Sequence, residues 1–160
     1  MNTDQLLNIL DKNLWQPHFY TVTAIDVLPQ KKYIYYPFAV IVNTLDHTKS
    51  DGGHWQAIYA EKPNLTVEYF CSFGQPISKL LRDYIKRLGH NRISAEKIWI
   101  QHPEASSCGL YCLDYIMYRS LGGTPSSFYR RFSPHDFKLN EKEIKRYWVG
   151  DTSSLRYKFI

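Results

Sequence analysis

Gln101-His102-Pro103-Glu104-Ala105-Ser106-Ser107-Cys108-Gly109 joins two segments of different character. Before it, Lys97–Gln101 is short and apolar and reads as a strand. After it, Cys108–Leu121 carries Cys112, Tyr115, Ile116 and Arg119 at helical spacing, with Leu113 and Met117 alongside, and reads as a helix. The link His102–Ser107 is small and polar, as a turn should be. The pattern is therefore strand, loop, helix, with a thiol as the first helical residue.

Upstream, Phe38-Ala39-Val40-Ile41-Val42-Asn43 is apolar throughout and predicts a strand buried on both faces. His54–Ala60 and Leu65–Phe73, separated by a turn at Lys62-Pro63-Asn64, predict a hairpin, and Phe19–Ile25 predicts a further short strand. Helices are expected at the N-terminus, capped by Thr3 and ended by Trp15-Gln16-Pro17, and over Ile77–Leu88 with Gly89 as its C-cap. Two short helices follow near Ser126–Phe132 and Asn140–Val149, and the tail to Ile160 reads as loosely structured. Strands interleaved with helices define an α+β chain with a central sheet.

The 160 residues suit one domain, residues 1–160, with its own core. Hydrophobic residues at 44% and charged residues at 22% exclude a disordered chain, a collagen and a coiled coil. The longest uncharged apolar run, about Tyr33–Thr44, is too short to cross a bilayer, and the N-terminus has no signal-peptide pattern. A soluble intracellular protein with no membrane partner is expected. Cys71, Cys108 and Cys112 are odd in number and lack zinc-ligand spacing, so neither a disulfide framework nor a metal site is expected. A net charge of +5 makes DNA a partner to test, through Lys86-Arg87, Arg130-Arg131 and Lys142–Arg146. Solvated faces explain the same charges, and Glu141 and Glu143 dilute the last run.

Chemistry converges on Cys108. A helix N-terminus stabilises a thiolate, and such a nucleophile needs an imidazole partner and donors for the oxyanion formed on attack. The Cys108 N–H and the Gln101 side-chain amide are the candidate donors, and Gly109 lets backbone and substrate approach. A buried, inert cysteine is the competing reading for Cys108 and the preferred one for Cys112. Among six His, His54 has the best context: it follows Gly52-Gly53 and opens an apolar strand. His47 and His102 are rival bases, whereas His18, His90 and His135 lack supporting context.

Gly53-His54-Trp55, the strand end Phe70-Cys71-Ser72-Phe73-Gly74, and Gln101 seven residues before Cys108-Gly109-Leu110-Tyr111-Cys112 together resemble the adenain family of cysteine proteases. That family holds the adenovirus protease and its relatives in large DNA transposons and DNA viruses; Ulp1-type proteases are more distantly similar. Asp26–Pro29 and Val40–Thr44 also look like the adenain branch, and the likeness runs from about residue 19 to residue 121. The resemblance implies an adenain/Ulp1-like fold, a mixed sheet flanked by helices with the nucleophile at a helix N-terminus. It implies Cys108 as nucleophile, His54 as general base and acid, Gln101 as oxyanion donor, and Trp55 as the aromatic that follows the histidine. The residues themselves suggest a narrow substrate groove near Gly52, Gly53 and Gly109, with Trp55 as a further substrate-binding residue. It further implies a monomeric endopeptidase that cuts viral or transposon structural precursors after small residues such as Gly. The expected place of action is then the host nucleus and the virion, with a peptide or DNA as activator and no other cofactor.

One position departs from the family, which has Asp or Glu where this chain has Cys71, 17 residues after His54. A thiol is a poorer acceptor than a carboxylate. Four readings stand: a Cys108–His54 dyad, a partly ionised Cys71, a carboxylate supplied by Glu68 or Asp51, or a substitution at position 71. Glu68 is an odd step from Cys71 on a strand and is expected to face away. The alternative functions are a weakened or non-catalytic protein-binding module on this fold, and an isopeptidase acting on ubiquitin-like conjugates.

Overall fold

The computed structural model describes residues 1–13, 19–28, 35–49, 52–63 and 65–149. The helix end at Trp15-Gln16-Pro17, His18, Asp51, the turn residue Asn64 and the tail beyond Val149 lie outside them.

Among the described residues, five strands form one mixed sheet in the order β1 (Phe19–Ala24), β2 (Phe38–Asn43), β3 (Trp55–Ala60), β4 (Val67–Phe70) and β5 (Ile93–Ala95). The outer pairs β1–β2 and β4–β5 are parallel; β2–β3 and β3–β4 are antiparallel. The predicted hairpin is thus present, with Ala57 opposite Phe70 and Tyr59 opposite Glu68.

Strand alternation divides the core into two layers. From β2, Ala39 and Ile41 enter a cluster with Leu6 and Leu10 of α1 (Thr3–Asn13) and Leu113 and Ile116 of α3 (Cys108–Ser120). Phe38, Val40 and Val42 enter the opposite cluster, with Leu81, Tyr84 and Ile85 of α2 (Lys79–Arg87). Because both faces are covered, β2 is apolar at consecutive positions, as expected from its sequence. Each such fully buried Phe, Ile or Leu contributes about 1.5–3 kcal/mol. An aromatic knot fastens α3 to the sheet: Phe70 stacks on Tyr115 at 4.6 Å, and Phe128 of α4 (Pro125–Tyr129) meets both rings edge-on. The last described helix, α5 (Phe137–Val149), packs on α3 through Ile144 and Trp148.

Three local expectations are corrected. Thr3 does not cap α1; Asn2 does, its Oδ1 accepting from the Gln5 N–H while Gln5 Oε1 accepts from the Asn2 N–H, both at 2.9 Å. Lys97–Gln101 is not a strand. Ile93–Ala95 takes the edge position instead, and the Trp99 region keeps only an isolated bridge to Phe73. The N–H groups of Ile100 and Gln101 both go to the Ser72 carbonyl, at 2.9 and 3.2 Å, so the segment is anchored at a point and not along a ladder. Finally, β4 covers only Val67–Phe70, because the chain turns over Cys71–Gly74, where the Gly74 N–H donates to the Cys71 carbonyl at 2.9 Å and Gly74 sits at φ +61°.

Candidate active site

Cys108 is the first residue of α3, and His54 directly precedes β3. Both line one cleft of about 790 Å³, with Gly53, Trp55, Phe73 and Ser106 on its walls. The Trp55 N–H donates to Cys108 Sγ at 3.4 Å, which ties the start of the strand to the start of the helix. His54 Nε2 lies 3.1 Å from Cys71 Sγ. Its other ring nitrogen, Nδ1, is buried and has no hydrogen-bond partner among the described residues. The ring leans on Phe73, with centroids 4.8 Å apart.

The His54 backbone is held from both sides: its N–H donates to Thr44 Oγ1 and its carbonyl accepts from the Thr44 N–H, each at 2.9 Å. The preceding Gly53 sits at φ +78°, and a Cβ there would lie 2.3 Å from Asn43 Oδ1. Only glycine fits this approach to His54. Gly109 also has a packing role. It is buried, and a Cβ on it would press on Leu6, Met1 and Trp55 at 3.2–3.4 Å, so its lack of a side chain lets α3 pack under α1.

Electrostatics leave the pair uncharged at rest. Burial pushes the His54 imidazole down to about 4. Burial also raises the Cys108 thiol, while the N–H groups of Trp55, Gly109 and Cys108 oppose that rise by favouring the thiolate.

Gln101 is fully buried below the loop. Its Oε1 accepts from the Ser72 hydroxyl at 2.6 Å, and its Nε2 donates to the Ala105 carbonyl at 2.7 Å. An amide nitrogen has two N–H bonds, so one remains beyond that to Ala105. Ser72 went unassigned in the sequence, although it stands inside the Phe70–Gly74 string that marked the site.

The rival bases are engaged by other partners. His47 lines the cleft but is bound to Asp26, Nδ1 to Oδ2 at 2.6 Å, which raises the imidazole and lowers the carboxyl. His102 Nδ1 accepts from the Glu104 N–H at 3.3 Å. Glu68 faces away from Cys71, as expected, and receives Arg119 Nη2 at 2.7 Å and the Tyr115 hydroxyl at 2.8 Å. Cys112 is fully buried, and burial holds its thiol well above the ordinary value. Of the basic runs, Arg131 pairs with Asp114 at 2.9 Å and Arg146 with Glu143 at 3.0 Å. Among the described residues no His, Cys, Asp and Glu cluster could hold a metal ion, and no helix is long and apolar enough to cross a membrane.

His54, just before β3, and Cys108, at the start of α3, thus face one cleft on a mixed sheet flanked by helices, the fold of solved viral cysteine proteases. No family model and no curated protein matches the sequence. Among solved structures, the crystal structure of the ASFV pS273R protease superposes with a TM-score of 0.58 at 18% identity, over 90% of this chain and 62% of that one. Its selenomethionine form gives 0.54 at 21% identity, over 72% of this chain and 43% of that one. The chain thus spans less than two thirds of the length of either, and the likeness is one of fold.

Proposed function

We propose that the chain is a cysteine endopeptidase. The observation that carries this reading is the arrangement of three groups: Cys108 and His54 share one cleft, and His54 turns Nε2 to Cys71 while Nδ1 stays unpaired among the described residues. With the proton on Nε2, that nitrogen donates to Cys71 and Nδ1 is a free base. The base takes the Cys108 proton as sulfur attacks the scissile carbonyl carbon. The Cys108 N–H and the Gln101 amide receive the oxyanion. Imidazolium then returns the proton to the leaving amine, leaving an acyl-enzyme that water hydrolyses by the reverse relay.

The sequence resemblance to adenain supports, as substrates, structural precursors of a virus or transposon, cut after a small residue such as Gly. The shared fold with a viral protease supports the same setting. The same resemblance supports a monomer with a basal activity that a peptide or DNA raises. Peptides bearing Gly on the acyl side of the bond are the test. The wild-type chain should cleave them and trap a Cys108 thioester visible by mass spectrometry, and Cys108→Ala should do neither. Failure of the wild-type chain would overturn the reading.

Cys71 favours a second reading, a protein-binding module with weakened catalysis. It would bind such peptides equally well before and after Cys108→Ala and leave them intact.

A further inference from the structure

Resting on that reading, the geometry points to Glu141 of α5 as a positioning residue for the oxyanion site. Glu141 is 8% exposed and lies far along the chain from the candidate site. Its Oε2 accepts from the Ser107 hydroxyl at 2.5 Å, and its Oε1 accepts from the His102 N–H and the Tyr111 hydroxyl, each at 3.2 Å. Ser107 directly precedes Cys108, and His102 directly follows Gln101. One carboxyl group therefore grips both ends of the loop that separates the two oxyanion donors. Its neighbour Asn140 extends the hold, donating to the carbonyls of Ile100 at 2.9 Å and Ser133 at 2.8 Å.

Ser107 supplies an independent sign. It occupies the N-cap position of α3, where a serine hydroxyl ordinarily accepts an N–H of the first turn. Here it makes no such bond, because the hydroxyl is turned to Glu141. The Ser107 carbonyl accepts from Leu110 and Tyr111, at 2.9 and 3.2 Å. Consequently, no capping side chain engages the Gly109 N–H at the second helical position, which faces the Cys108 thiol. A buried carboxyl that holds the N-cap hydroxyl away from its helix has a use where the first-turn donors serve a reacting oxygen.

The test separates attack from oxyanion stabilisation. Active chains are counted by thiol titration. Glycyl-peptide cleavage, inhibition by a peptide aldehyde and alkylation by iodoacetamide at pH 8 are then measured per titrated thiol. Aldehydes form a hemithioacetal whose oxygen occupies the oxyanion site; alkylation has no such requirement. Glu141→Ala should lower kcat by about 10- to 100-fold with KM within about threefold. It should weaken aldehyde binding in parallel and leave alkylation within about twofold of wild type. Glu141→Gln, which can accept from His102 and donate to Ser107, should recover most of the loss. Ser107→Ala, a milder change that leaves Glu141 and its other contacts in place, should lower kcat and aldehyde affinity together by a smaller factor. Wild-type kcat per thiol in Glu141→Ala, or an equal fall in alkylation, would overturn the role while the peptidase reading stands. A wild-type chain that cleaves nothing and ignores the aldehyde overturns both.

Discussion

His54 Nε2 and Cys71 Sγ meet at 3.1 Å, so a thiol occupies the place from which a carboxylate would orient the imidazole. The contact sets the ring's orientation but adds no negative charge to oppose the burial that depresses His54. On the proposed reading, His54 is a base that is free but weak, and Cys108 a nucleophile that starts neutral.

Restoring the acid should strengthen the base. Cys71→Asp is expected to raise peptide cleavage at least about tenfold, since an absent orienting group costs about 1.4 kcal/mol or more. It should also speed iodoacetamide alkylation of Cys108 at pH 6, where imidazolium would hold the thiolate. Equal rates in the two proteins would remove Cys71 from the mechanism.

The depressed imidazole makes stability depend on pH. Its folded pKa, about 4, lies below the ordinary 6.5, so the unfolded chain binds more protons between those values. Stability contributed by the neutral ring is complete above pH 6.5 and is lost as pH falls through about 4. The full loss is roughly 3 kcal/mol, at 1.36 kcal/mol per unit. Urea unfolding of wild type and His54→Gln at pH 7 and pH 4 checks this: wild type should lose more by about that amount, and parallel losses would contradict it.

Gly53→Ala should be damaging out of proportion to one methyl group. The new Cβ would meet Asn43 Oδ1 at 2.3 Å and Leu45 Cγ at 2.7 Å, in a conformation with φ +78°. Relief requires the loop before His54 to move. We expect a loss of about 1–3 kcal/mol in unfolding free energy together with a lowered kcat. Unchanged stability would show that the loop yields freely.

Glu68→Gln is the control for the missing acid. Glu68 faces Arg119 and Tyr115. Its neutralisation should therefore leave kcat within about twofold, while removing one side of a half-buried ion pair and lowering stability by about 1–3 kcal/mol. A collapse of kcat at unchanged stability would make Glu68 the third group.

Ser72→Ala should loosen Gln101 without touching Cys108. The hydroxyl donates to Gln101 Oε1 at 2.6 Å, so its loss frees the amide to rotate. A fall in kcat of about threefold to tenfold at constant KM is expected, less than the roughly 100-fold or greater loss from removing an oxyanion donor outright. A change confined to KM would place Ser72 outside the oxyanion site.

Much of the architecture was legible because hydrophobic periodicity is a local property. The unbroken apolar run Phe38–Val42 marked a strand covered on both faces, and the spacing of Cys112, Tyr115 and Ile116 marked α3. The same reasoning failed at Lys97–Gln101. Apolar residues there are held by one carbonyl, that of Ser72, and by the edge contact of Trp99 with Phe73. Periodicity registers burial; it is silent on which backbone groups pair. The cap of α1 was missed by one residue, because Asn2 and Thr3 are both competent caps and the reciprocal bond to Gln5 decides between them.

By itself, the amino-acid sequence determined the elements and their chemical types: a thiol opening a helix, an imidazole behind two glycines, and a thiol where an acid was expected. Tertiary packing decided which atoms meet. It turned Nε2 to Cys71, placed Glu68 on the far face of its strand, and brought Glu141 back to Ser107 and His102 across more than thirty residues of chain. Side-chain pattern follows from the pitch of one helix or the pleat of one strand, whereas these contacts require separate elements to dock at a fixed distance. That distance is set by the volumes buried between them, and no local stretch of chain encodes it.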